Sequence, residues 1–190
     1  MNKYNTLSAL ACVAMLAGGC TTTSNTTSAS SDHAQRISID AEVDAALAKL
    51  DAQVPSARQL VKSARGVLVF PGVLSAGFVV GGAYGKGALR EGTRTAGYYS
   101  TTAASVGWTA GAESKAVYVL FMTQDALSKF QASQGWTAGV DASVTLLKIG
   151  ADGNVTTQTV QQPIVGFVLT NGGLMADLSV EGAKISKIAL

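Results

Sequence analysis

Gly66–Val73 reads GVLVFPGV and Ala76–Gly92 reads AGFVVGGAYGKGALREG, and these two stretches decide the fold. Before Gly66 the apolar residues recur at helical spacing, and from Gly66 onward the period becomes two, the spacing of a strand. The first stretch reads as a short strand closed by the turn pair Pro71-Gly72. The second continues extended, and its glycines at 77, 81, 82, 85 and 87 mark bulges, bends or close backbone approach. A Walker loop needs Gly-Lys followed by Ser or Thr and then a helix, whereas Lys86 is followed by Gly87 inside a strand pattern. The strand–turn–helix order of a dinucleotide fingerprint is missing too. Two readings stand for GGAYGKG: a bent β-ribbon, or a backbone that a lipid or other ligand approaches.

Downstream, GYYSTTAASVGWTAGAE (97–113) alternates, with Tyr98, Ser100, Thr102, Ala104, Val106, Trp108 and Ala110 on one face. KAVYVLFMT (115–123) is apolar on both sides, as expected of a strand with both faces covered. QDALSKFQAS (124–133) reads as a helix capped by Thr123. WTAGVDASVTLLK (136–148) reads as one alternating strand, with Trp136, Ala138, Val140, Ala142, Val144 and Leu146 on one face and Asp141 and Ser143 on the other. GADGNV (150–155) carries the hairpin pair Asp152-Gly153, and further extended segments run to Ile188.

Working back from Gly66, Val43, Leu47, Leu50 and Val54 lie on one helical face over Ile39–Val54, with Ser38 or Asp40 as cap. Glu42 and Asp44 suit the positive end of that helix. Pro55 ends it and opens a second helix over Ser56–Ala64. The fold class is therefore α+β: a strongly curved antiparallel β-sheet or barrel-like β domain, with two N-terminal helices and one inserted helix.

The N-terminus reads as a leader. Lys3 precedes an apolar run from Leu7 to Leu16, which is too short for the roughly 20 residues that a bilayer span requires. Leu16-Ala17-Gly18-Gly19-Cys20 resembles the lipobox of bacterial lipoproteins, in which cleavage precedes the Cys and the Cys is acylated. An ordinary cleaved signal peptide is the alternative. Stable anchoring takes more than one acyl chain, which a triacylated Cys20 supplies. Thr21 after the Cys, where a lipoprotein kept in the inner membrane has Asp, implies the outer membrane. The layout expected is a signal peptide over 1–19, the lipidated Cys20 with a flexible Ser/Thr-rich tether over 20–33, and a single domain over 34–190.

The rest of the composition narrows the chemistry. Charged residues are 14% of the chain, against about 25% in typical proteins, and the formal net charge of +2 creates no field for nucleic acid. His33 is the only histidine, and Cys12 and Cys20 are the only cysteines, so the domain has neither a thiol nor an imidazole for catalysis or metal ligation. The carboxylates Glu91, Glu113, Asp125, Asp141, Asp152, Asp177 and Glu181 find no base beside them in sequence. We expect no enzyme, no cofactor and no metal. Arg58, Lys62 and Arg65 fall at i, i+4 and i+7, with Leu60 and Val61 on the other side of the helix. This is the pattern either of a solvated helix face or of an interfacial helix on anionic lipid. Lys86 and Arg90 would extend that patch.

Four blocks then carry a family resemblance: SARGVLVFPGVLSAGFVVGGAYGKGAL (63–89), GYYSTTAASVGW…GAESKAVYVLFM (97–122), GWTAGVDASV (135–144) and GLMADLSVEGAKI (173–185). They resemble the SYLF domain, in order, over roughly Val54 to Ile188. Eukaryotic members bind phosphoinositides and, in yeast, actin; bacterial members are commonly secreted or lipid-anchored. The resemblance implies lipid binding without catalysis, through a basic N-terminal segment that corresponds here to Arg58, Lys62 and Arg65, continued by Val67–Phe70. The expected function is a lipid-anchored envelope protein that binds phospholipid head groups, anionic ones favoured. The alternative is an envelope protein that docks a protein or glycan partner and touches the membrane only through its acyl chains.

Overall fold

The computed structural model describes residues 24–77, 80–106, 111–146, 162–170, 173–174 and 182–190. The leader, Cys20, Trp108 and the expected hairpin at Asp152-Gly153 lie outside these residues. Helices α1 (Ser24–Gln53) and α2 (Ala57–Ser63) come first, followed by β1 (Gly66–Gly77), β2 (Val80–Glu91), β3 (Arg94–Val106) and β4 (Gly111–Phe121). Helix α3 (Gln124–Ala132) precedes β5 (Trp136–Thr137), β6 (Thr145–Leu146), β7 (Ile164–Thr170), β8 (Gly173–Leu174) and β9 (Lys184–Ile188). One sheet takes all nine strands in the order β5-β9-β3-β2-β1-β4-β7-β6, with β8 on β7. Every pairing is antiparallel except β6 with β7. The curved α+β architecture read from the sequence is the one observed.

The sheet wraps into a half-barrel. Strands β9 and β4 stand four places apart, about 19 Å in a flat sheet at 4.8 Å per strand. Yet Ile185 of β9 and Val117 of β4 line one cavity. Each face of the sheet has its own core. On the inner face Leu68, Phe70, Leu89, Tyr99, Val119 and Phe121 pack against Leu127 and Phe130 of α3. On the outer face Val67, Val69, Tyr118, Leu120 and Phe167 pack under α1 and α2, which bring Val43, Leu50, Val54 and Leu60. The continuous apolar run of β4 is explained: it is a central strand with a core on either side.

Strand β1 departs from the expected turn. It does not stop at Pro71-Gly72; it continues to Gly77, and the pair forms a bulge where the register shifts against both β2 and β4. Proline has no N–H for the ladder, so a mid-sheet proline is accommodated only where the ladder is interrupted. The curl shows in the glycines opposite. A side chain at Gly87 would be driven into the Val69 carbonyl and to 2.8 Å from Phe70 Cδ1, and one at Gly85 would meet Val73 Cα at 3.1 Å. Gly85 and Gly87 of GGAYGKG serve the bent β-ribbon by admitting the close approach of β1.

Two further expectations are corrected. The 136–148 stretch is not one strand: after Trp136–Thr137 the chain turns at Gly139 (φ 84°), which leaves Val140 78% exposed. Asp141 belongs to that turn, where its carboxylate accepts the Thr137 N–H. Helix α1 begins at Ser24, ten residues before the expected domain boundary, so the Ser/Thr segment from 24 to 33 is helical. No Gly or Pro interrupts residues 21–54, and Ala189 and Leu190 line an open groove together with Ala29, Asp32, His33 and Arg36 of this helix. The α3 expectation holds, with Thr123 Oγ1 accepting the Ala126 N–H at 3.2 Å.

Tyr118 ties α1 to the sheet by donating to the Ala46 carbonyl at 2.8 Å. Burial pushes its phenol from 10.0 up to about 12. The unfolded chain loses this proton near pH 10 while the native one holds it, so stability falls as pH rises from about 10 to about 12. Two pH units correspond to about 2–3 kcal/mol. Tyr98 and Tyr99 are also raised by burial and add to the alkaline slope. Urea midpoints at about pH 9 and pH 12 for wild type and Tyr118→Phe isolate the Tyr118 share, and the variant should lose less stability across that interval.

Candidate functional site

Helix α2 is short and firmly docked. Ala57 and Leu60 are buried in the outer core, Val61 and Ala64 pack against it, and the Arg65 N–H bonds the Phe121 carbonyl at 2.8 Å. Arg58, Lys62 and Arg65 are consequently left on the solvent side, and all three are exposed. Arg58 pairs with Asp51 at 3.0 Å, but both side chains are about half exposed, so the pair is weak and screened by salt. Among the described residues Lys62 and Arg65 have no ion pair. The helix therefore presents charge alone, its apolar side being spent on the core.

Of the two cations of β2, Arg90 is held elsewhere. Arg90 is taken up by α1: its guanidinium pairs with Asp44 at 2.7 Å and Asp40 at 3.4 Å, bonds the Asp40 carbonyl and the Thr95 hydroxyl, and is only 11% exposed. Asp40 also accepts from Thr95 and Tyr98. Arg90 is thus a clamp between the first helix and the sheet, and the structure corrects its expected place in a lipid-binding patch. Lys86 shares its face of the strand four residues away, about 13 Å at the usual rise, and is half-buried. Two of the candidate carboxylates are likewise occupied with structure: Glu91 accepts from Arg94 and Gln131, and Asp125 pairs with Lys129 at 2.8 Å.

Helix α2 and the first half of α1 occupy the same end of the sheet. Gly66 pairs with Phe121 and Val67 with Arg90 there, and Ala29 and Arg36 of α1 line one groove with Leu190, just past Ile188, the partner of Tyr98. At the other end of the sheet Gly77 pairs with both Gly81 and Gly111. No helix among the described residues is long and apolar enough to cross a membrane.

The sequence reading missed Lys115. It lies on the inner face, in alternation with Val117, Val119 and Phe121, where it lines the cavity inside the half-barrel. The signal was present in KAVYVLF: the lysine opens an apolar every-second-residue series, which fixes the side of the strand it faces.

Residues 102–188 match the family model described as Ysc84, Las17-binding protein actin regulator, which is the SYLF domain. The match begins within β3, after both N-terminal helices, β1 and β2. A search of curated proteins finds no match.

Proposed function

We propose that this chain, whose residues 102–188 match the SYLF-domain family, is a non-catalytic, lipid-anchored protein of the bacterial envelope that binds anionic phospholipid head groups through α2. The family supports a binding role related to lipid or actin. The carrying observation is the exposed trio of Arg58 and Lys62 on α2 and Arg65 just past its end, beside a helix whose apolar side is already buried. Such a helix engages a membrane surface by charge, without insertion, and each Lys or Arg near an anionic leaflet contributes about 1 kcal/mol. The position of α2 at the end of the sheet shared with the first half of α1 supports the reading, since an anchor at Cys20 enters through that helix. The acylated Cys20 supplies the hold, in the outer membrane, and the basic helix sets which lipid surface the domain rests on.

The test removes the anchor. Residues 20–190 carrying Cys20→Ser are co-sedimented with neutral vesicles and with phosphatidylglycerol-rich vesicles. Binding should be confined to the anionic vesicles and weaken from low to physiological salt. Arg58→Glu, Lys62→Glu and Arg65→Glu together should lower it by roughly a hundredfold or more, the sum of three contributions of about 1 kcal/mol each. Equal sedimentation of the triple variant and the parent would remove α2 from the function.

A further inference from the structure

Helix α1 has two unlike halves. From Ile39 onward it is docked, with Ile39, Val43, Ala46 and Leu50 buried in the outer core. Asp40 fastens the start of this half: its carboxylate accepts from Thr95 and Tyr98, and its carbonyl accepts from Arg90. Before Ile39, no side chain from Ala29 to Ser38 is buried, and Ile37 is 57% exposed. Ala189 and Leu190 stand across an open groove from this part of the helix. The segment Ser24–Ser38 holds five Ser, two Thr, one Asn and one Asp among its fifteen residues. Such side chains compete with the helix for backbone hydrogen bonds and rank well below Ala as helix formers. The first turn has no acidic residue to meet the helix dipole. Helices in proteins owe most of their stability to the packing of one face, and from Ala29 to Ser38 no face is buried. Unwinding from the end of an existing helix needs no new nucleus, and it meets its first buried residue at Ile39.

We propose that Ser24–Ser38 is an extensible strut, which unwinds and rewinds from its N-terminal end as far as Ile39 while the rest of the protein stays folded. Its fifteen residues span about 22 Å as a helix and up to about 50 Å when drawn out. With the chain anchored at Cys20, that difference sets how far the domain can stand from the membrane and how freely α2 can turn toward it. The stand-off rests on the lipid-anchored reading above, whereas the unwinding follows from burial and composition.

The test uses residues 20–190 carrying Cys20→Ser, without lipid. In hydrogen exchange the amides of residues 29–38 should exchange within about tenfold of the unfolded rate, and those of residues 43–53 at least about a hundredfold more slowly. Spin labels at Ala29→Cys and Ala48→Cys, both exposed positions, stand about 28 Å apart along a continuous helix. The measured distances should instead spread from below about 20 Å to beyond about 35 Å, as a partly unwound chain requires. Thr26→Ala, Thr27→Ala and Ser28→Ala together should raise the protection of residues 29–38 by about fivefold or more and gather the distances near 28 Å. Equal protection of the two halves, a single narrow distance near 28 Å in the parent, or no gain in the alanine variant overturns the proposal. None of these measurements involves a membrane, so failure here and failure of the vesicle experiment are distinguishable.

Discussion

Gly87→Ala is expected to destabilise the domain by on the order of 3–5 kcal/mol, lowering the melting temperature by about 10 °C or more. The added methyl would be driven into the Val69 carbonyl, and Val69 C and Phe70 Cδ1 both lie 2.8 Å away. Relief requires β1 to move off β2, and β1 is the central strand, held by β4 on its other edge. A flexible side-chain end could yield; a backbone carbonyl in a paired ladder cannot do so without loss of hydrogen bonds. Gly82→Ala is the control, because its methyl would meet only the Ala103 carbonyl, at 3.9 Å, and it should cost at most about 1 kcal/mol. Thermal melts of the two variants side by side decide the matter. Equal melting would mean that the close approach of β1 to β2 is not what requires glycine.

Phe130→Ala is expected to cost about 3–5 kcal/mol, the range for emptying a buried aromatic site. Phe130 is 2% exposed and joins three other rings, with centroids at 4.7 Å from Phe121, 5.0 Å from Tyr99 and 5.6 Å edge-on from Trp136. These rings come from α3, β3, β4 and β5, so one truncation loosens four elements. Helix α3 has only Ala126 and Leu127 as its other buried residues. Its helical content should therefore suffer together with the Trp136 near-ultraviolet signal. Phe130→Leu keeps most of the volume and should cost about 1–2 kcal/mol. Urea denaturation of the two variants measures the difference.

The sequence made legible whatever rests on periodicity and caps. The change of period at Gly66, the two-sided run of β4 and the Thr123 cap each follow from local residues. The bulge at Pro71-Gly72 was not legible, because a turn and a bulge use the same residue pair. The choice between them belongs to the strands on either side, β2 and β4, both of which shift register there. The strand across Asp141 failed for a related reason: one positive φ at Gly139 outweighs an apolar alternation on either side of it. Among the site residues, the exposure of Arg58 and Lys62 follows from their spacing, whereas Arg65 lies past the end of α2, after the extended Ala64. Arg90 shares that charge but not that fate, because its partners Asp40 and Asp44 are some fifty positions earlier in the chain. Lys115 was overlooked in a segment whose other residues spoke only of burial.

The order of the sheet also determines when it can be completed during synthesis. Strand β9, Lys184–Ile188, fills the place beside Tyr98–Thr102 of β3. That pairing cannot form until every other strand has been made. Until then β3 presents a row of bare backbone donors and acceptors, the feature through which unfinished sheets recruit strands from neighbouring chains. Truncation just before Lys184 would leave that edge open permanently, and the shortened protein should aggregate through β3 even though both cores retain most of their residues.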